Sequence, residues 1–382
     1  MCIRDSATPW GAAVNVDDAG SDEVRRFIVD NALMWMRDYH VDGLRLDAVH
    51  AIIDTSAVHI LEQLSTEVDD LAVELGRELV LIAESDRNDP RMLEDRAIGG
   101  YGIDAHWDDD FHHALHVALT GEQDSYYVDY GGLEPLRQAL RHAYVYRGQF
   151  SEHRDRHHGR PPVGLLGDDF VAYVQNHDQI GNRARGERAS HLLSTPRLKV
   201  AAAVVATSPF VPMLFQGEEW AASAPFPYFA DHCDDPTLAE AVRSGRLEEF
   251  SSFGWTSDEV LDPEDPETYY LALLDRAEQA DEPHRMVRDW YRDVFALRRA
   301  EPALRDGRYE GIPVEVDDDA GTLVVRRGPI LVAVDIGPEA VTVALPGGSR
   351  WQLLLASERG IRIDGEDLWL PADSVAILRT PG

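Results

Sequence analysis

One run of ten residues constrains this chain more than any other: Val41-Asp42-Gly43-Leu44-Arg45-Leu46-Asp47-Ala48-Val49-His50. Val41 to Leu46 reads as a short buried strand. Side chains alternate along a strand, so Leu44 and Leu46 project to one side and Arg45 and Asp47 to the other. A cation and then a carboxylate on one face, at the C-terminal end of a strand, suit a plain core badly. They suit the open mouth of a parallel barrel, where catalytic groups stand at strand ends. A neighbouring guanidinium favours an ionised carboxylate, as a nucleophile requires. The same decapeptide also reads as a structural Arg–Asp pair capping the next helix, and the rest of the chain decides between the two.

Before this run, Ser21 with Asp22 and Glu23 reads as a helix start, and Phe27, Ile28, Leu33, Trp35 and Met36 give it an apolar stripe. After it, residues 57–75 read as a second amphipathic helix. Glu78-Leu79-Val80-Leu81-Ile82-Ala83-Glu84 then forms a continuous apolar run of the kind found in parallel strands. Strand, helix, strand at this spacing is a βαβ unit. Val80, Ile82 and Glu84 share a face, so Glu84 reaches the mouth beside Asp47 if the two strands are parallel neighbours. Two carboxylates on adjacent strand ends are the minimum equipment for glycoside hydrolysis.

Further along, His112, His113 and His116 sit on a helix expected around Phe111 to Leu119. They lack a recognisable ligand spacing, and no metal site is expected from them. Residues 133–146 read as a helix, and 153–162 as a polar, basic loop. Phe170-Val171-Ala172-Tyr173-Val174 reads as a third strand, ending in Gln175-Asn176-His177-Asp178. A helix from Pro196 to Ala206 leads to a buried strand over Val211 to Phe215, then to Gln216-Gly217-Glu218-Glu219-Trp220. The aromatics of that loop and of Tyr228-Phe229 read either as packing or as surfaces for a sugar.

Charge narrows the ligand. Lys+Arg 36 against Asp+Glu 69 gives a formal net charge of −33, which argues against nucleic acid or an anionic membrane as partner. Lys199 is the single lysine, which we attribute to coding bias. Cys2 and Cys233 are too few for a disulfide framework or a Cys-based zinc site. No stretch is apolar enough to span a membrane and none reads as a signal peptide, so a cytoplasmic location is expected. Met1 to Ser6 looks foreign to the remainder of the chain and is set aside.

Residues 42–50 (Asp-Gly-Leu-Arg-Leu-Asp-Ala-Val-His), 82–84 (Ile-Ala-Glu) and 176–178 (Asn-His-Asp), in this order, resemble three signature regions of the α-amylase clan of retaining glycosidases. In that clan they lie at the ends of barrel strands four, five and seven. The flanks, His177-Asp178-Gln179-Ile180-Gly181-Asn182, Gln216-Gly217-Glu218-Glu219-Trp220 and Tyr228-Phe229-Ala230-Asp231-His232, narrow the resemblance to its malto-oligosyltrehalose trehalohydrolase family. The resemblance implies Asp47 as nucleophile, Glu84 as acid/base and Asp178 as the third carboxylate. It implies Arg45, His50, His177 and Trp220 as substrate-binding, no cofactor, malto-oligosyltrehalose as substrate, and a malto-oligosyltrehalose synthase as pathway partner. A branching enzyme or amylase of the clan would share all three carboxylates, and an inactive or glycan-binding fragment would keep them idle.

The clan's first signature, at the end of strand three, has no counterpart upstream of Trp10. The expected fold is therefore the C-terminal part of a TIM (β/α)8 barrel, about strands 4 to 8, over residues 7–305. In that arrangement Val41 to Leu46 and Val211 to Phe215 are expected as open edges, prone to aggregation. An acidic, turn-rich insertion from Cys233 to Asp281 and a long helix over Pro283 to Arg299 close this part. Short strands over Thr322 to Arg326, Ile330 to Asp335, Val341 to Leu345, Trp351 to Leu355 and Val375 to Leu378 read as an antiparallel β-sandwich over residues 306–382.

Overall fold

The computed structural model describes residues 7–8, 11–251, 260–347 and 350–380; Met1 to Ser6 and Trp10 lie outside them. The chain falls into two units, and neither is continuous in sequence. Unit 1 comprises the residues up to Asp109 together with Tyr146–Val171, and unit 2 comprises Asp110–Val145 together with the residues from Ala172 onward.

In unit 1, Gly43–Leu46 pairs in parallel with Val80–Ala83, with Leu44 opposite Leu81 and Arg45 opposite Ile82. Val80–Ala83 pairs in parallel with Ala105–Trp107, and His106 and Trp107 pair in turn with Phe170 and Val171. The expected βαβ unit is present. Ala105–Trp107 was not anticipated as a strand, because three residues that include His106 and Trp107 carry no apolar run. Gly43 sits at a close approach: a Cβ there would lie 3.0 Å from the Val80 carbonyl oxygen.

Two helices cover one face of these strands. Ile60–Leu75 buries Leu61, Leu64, Val68 and Leu71, a three-four spacing that keeps one helical face inward, and stops at Gly76 in the left-handed region (φ 64°). Ser21–Arg37 buries Val29, Leu33 and Met36 against the same core as Leu81 and Ala83. Phe27 and Trp35, expected in that stripe, are 75% and 41% exposed. Phe27 lies two residues before Val29, about 200° around the helix, so the stripe through 29, 33 and 36 leaves it outside. Arg25 fastens this helix to the chain after the strand. Its guanidinium donates to Asp54 at 2.8 Å, to the Val16 and Val58 carbonyls at 2.8 Å each, and to Gln63 at 2.9 Å.

Within 153–162, expected as a basic loop, Arg156–Gly159 is a strand that pairs antiparallel with Arg147–Ser151 in a hairpin. Gly159 makes its closure feasible, since a Cβ would sit 2.0 Å from the Tyr146 carbonyl oxygen.

Unit 2 holds the strand Val211–Met213 and the helix Thr195–Thr207, buried from Leu198 to Thr207. The helix His284–Ala300 packs on it, and Trp290 Nε1 donates to the Lys199 carbonyl at 2.8 Å. Lys199 itself donates to the Ser357 carbonyl at 2.6 Å and pairs with Glu358.

The C-terminal strands make two antiparallel sheets. Leu331, Ala333, Ala376 and Leu378 of the larger share one core with Leu368 and Leu370 of the smaller. Three strands here were not expected from the sequence: Val314–Asp317, Arg362–Asp364 and Asp367–Leu370. Each is short and half polar, too brief for alternation to declare itself.

Candidate active site

The parallel register carries past the strand ends. The Glu84 N–H donates to the Leu46 carbonyl at 3.0 Å, and the Val49 N–H donates to the Glu84 carbonyl at 3.1 Å. Asp47 and Glu84 therefore follow neighbouring strands at the same level. Between Asp47 and Val49 the chain turns through Ala48 in the left-handed region (φ 43°). That turn points the Ala48 N–H at Glu84 Oε2, 2.5 Å away.

Arg45 joins the two carboxylates. Its Nη1 pairs with Asp47, and its Nη2 lies 3.6 Å from Glu84 Oε2. The guanidinium sits 4.3 Å above the Trp107 ring, a cation–π contact that fixes its plane. Asp47 is the open member of the set, with its side chain 78% exposed against 18% for Glu84.

His50 Nδ1 lies 3.8 Å from Asp86 Oδ1. Asp86 also pairs with Arg154 of the hairpin at 2.9 Å, and its carbonyl meets His158 Nε2 at 2.7 Å. Burial would push the Asp86 carboxyl up, but the charges of Arg154 and His50 outweigh it and hold the group below its ordinary value. Beneath this layer His106 is fully enclosed, with Nε2 2.8 Å from the Ser85 carbonyl. Burial lowers its pKa to about 4, so it is a neutral support at pH 7.

In unit 2, Asp178 is not at a strand end. The strand stops at Tyr173, and Asp178 lies in the first turn of the short helix His177–Gly181. Asn176 caps that helix, its Oδ1 accepting the Asp178 and Gln179 N–H groups at 2.8 and 3.3 Å, and Gln179 returns to the Asn176 N–H at 2.9 Å. This is a capping box, a signal the sequence carries in Asn176 and Gln179. His177 Nε2 and Asp178 Oδ2 are 3.4 Å apart, and both side chains are about half exposed.

Trp220 does not present a face to a sugar. It is buried, and its Nε1 donates to Glu278 at 2.8 Å. For Trp220, packing is the alternative observed.

The histidines of Asp109–Thr120 are occupied in packing. His112 Nδ1 meets the Val174 carbonyl at 2.8 Å and its ring stacks on Tyr173, while His116 pairs with Glu122 at 2.8 Å. Among the described residues, no cluster of three or more His, Cys, Asp or Glu side chains is placed to hold a metal ion. No helix among them is long and apolar enough to cross a membrane.

No family model matches the chain. Curated relatives do. A malto-oligosyltrehalose trehalohydrolase of Mycobacterium tuberculosis (strain H37Rv) is 44% identical over 379 residues, which is 99% of this chain and 64% of the relative. One of Arthrobacter ramosus is 45% identical over 375 residues, 98% of this chain and 64% of the relative. Along nearly its whole length the chain is similar to malto-oligosyltrehalose trehalohydrolases. It spans just under two thirds of the length of these trehalohydrolases. The crystal structure of a Salmonella typhimurium protein, a candidate α-amylase, superposes with a TM-score of 0.85 at 32% identity, covering 99% of this chain and 64% of that one.

Two buried groups of this chain carry no marker in the sequence. Arg188 is wholly enclosed and donates to the carbonyls of Ala224 at 2.6 Å and Gln216 at 2.7 Å, pinning the loop that follows Val211–Met213. Glu218, on that loop, accepts from the Tyr291 hydroxyl at 2.8 Å. Burial pushes its carboxyl up to about 7, against the hydrogen bonds from Tyr291, the Phe215 N–H and Gln175. Glu218 stands in the Gln216-to-Trp220 motif, but nothing in the motif marks it as enclosed.

Proposed function

We propose that this chain is the greater part of a retaining α-glycosidase that hydrolyses the α-1,4 bond next to the trehalose unit of malto-oligosyltrehalose. The observation that carries the reading is the pair of carboxylates, Asp47 and Glu84, that follow adjacent parallel strands and share the Arg45 guanidinium. Asp47 attacks the anomeric carbon while Glu84 protonates the departing glycosidic oxygen, leaving a glucosyl group bonded to Asp47. Glu84 then takes a proton from water, which displaces the sugar with net retention. Asp178 is the third carboxylate in this reading, and His177 and His50 bind hydroxyls. Trp220 acts through the shape of its loop rather than by contact.

The reading includes a partial (β/α)8 barrel over residues 7–305 and a β-sandwich domain over 306–382, a cytoplasmic location, and supply of the substrate by a malto-oligosyltrehalose synthase. The parallel strands of unit 1 and the paired antiparallel sheets support it.

The test is product analysis. Malto-oligosyltrehalose is incubated with the protein and with Asp47→Asn, Glu84→Gln and Asp178→Asn. Trehalose release that each substitution lowers by at least about 10³-fold, without adding up across double variants, is expected of residues acting as one unit. Maltose from starch with no trehalose from the tested substrate would turn the assignment to an amylase.

A further inference from the structure

In unit 2 the segment after Trp220 forms a cleft of about 740 Å³, a size that holds a small organic ligand. One part of its wall is aromatic and aliphatic. Phe229 and Tyr269 meet edge to face with ring centroids 5.3 Å apart, and Tyr269 is 45% exposed. The other part is polar and held in place. Glu264 accepts the His232 backbone N–H at 3.0 Å and meets His232 Nδ1 at 2.8 Å, and Arg243 donates to Asp262 at 2.9 Å.

This combination discriminates among ligand classes. An anionic ligand would meet Asp231, Glu264 and Asp265 with Arg243 as the one arginine of the lining. A purely apolar ligand would take water from those carboxylates and return nothing. The acidic groups are not placed to hold a metal ion. A pyranose satisfies both walls. Its C–H faces cover the aromatic rings, and its hydroxyls donate to carboxylate lone pairs and accept from a guanidinium.

The cleft also adjoins the element that bears Asp178. Arg246 donates to the Gly181 carbonyl at 2.6 Å and to Asn182 Oδ1 at 2.8 Å, at the end of the short helix. Its guanidinium stands 4.5 Å over the ring of Tyr228, the neighbour of Phe229.

We propose that this cleft binds glucosyl units of an α-glucan, as a site additional to the carboxylates. It rests on the reading that the chain acts on an α-1,4-linked substrate. Cys233 lines the cleft and is exposed, so it can report occupancy. In a Cys2→Ser form of the chain, Cys233 is the only thiol, and its alkylation by N-ethylmaleimide is followed by mass spectrometry with and without maltotetraose.

Labelling should slow by about tenfold when the glucan stands about ten times above its dissociation constant, since only the unoccupied fraction reacts. Tyr269→Ala should abolish that protection and Tyr269→Trp restore it. Tyr270→Ala, at an exposed residue outside the cleft wall, should leave it intact. Unchanged labelling at every soluble concentration of maltotetraose would overturn the proposal. So would protection that survives Tyr269→Ala, or equal protection by cellotetraose. Trehalose release, measured on the same samples, keeps the two readings apart. Protection without release sinks the reaction and leaves the cleft, and release without protection does the reverse.

Discussion

At Arg45 a single guanidinium faces two carboxylates, and its planar fork is what lets it do so. A lysine would carry the same charge as a compact point on a flexible stem. Arg45→Lys is therefore expected to lower turnover by about 10²-fold through lost alignment, while thermal unfolding moves little; a near-normal kcat would detach Arg45 from the chemistry. Glu218 makes the opposite kind of demand, because it is enclosed rather than displayed. Its folded-state pKa of about 7 lies above the ordinary 4.5, so the folded protein holds a proton there that the unfolded chain releases. The stability this contributes is fully present below about pH 4.5 and is lost as pH rises to about 7. Glu218→Gln should remove that decline and, above pH 7, avoid an ionisation cost of about 3 kcal/mol. Urea unfolding of both proteins from pH 4 to 8 measures it, and parallel curves would mean that Glu218 ionises freely.

The strand bearing Arg45 and the strand ending at Glu84 were legible because apolar runs and period-two alternation agree there. Their register follows once both are parallel. What was not legible turned on contacts distant in sequence. Ala105–Trp107 is a strand because its neighbours on both sides offer it hydrogen bonds, not because of its composition. Asp178 stands in a helix rather than at a strand end because Asn176 and Gln179 cap each other, a local signal masked by the apolar run before it. Trp220 was expected to meet substrate, and no local pattern reveals that Glu278, far along the chain, takes its N–H. Arg25 shows what such distant contacts contribute. It ties the first helix to Asp54, whose side chain is fully enclosed. Arg25→Ala leaves that carboxylate without its cation and should cost about 3 kcal/mol. A change in the urea midpoint equivalent to under about 0.5 kcal/mol would show that water or another group takes over.

Across the whole molecule the dominant electrostatic fact is a formal charge of −33. Self-repulsion at that charge opposes the compact state and is screened by salt. The unfolding midpoint should therefore rise between low and moderate sodium chloride at neutral pH, and a flat or falling midpoint would mean that ion pairs such as Arg25–Asp54 outweigh the net charge. Gly43–Leu46 has one strand neighbour among the described residues, which leaves backbone groups open to pairing with another chain, so the same salt series should be read alongside light scattering. The interleaving of the two units bears on synthesis as well. A ribosome delivers Asp110–Val145 before the unit 2 residues from Ala172 onward that it belongs with. At about 5–20 residues per second, that segment waits on the order of ten to forty seconds while the sequence up to Gly382 is made. During that interval the inward faces of Phe111, Leu115 and Leu119 are surfaces for a chaperone, and slowing or hastening translation over this span should change the yield of folded protein more than the same change made before Asp109.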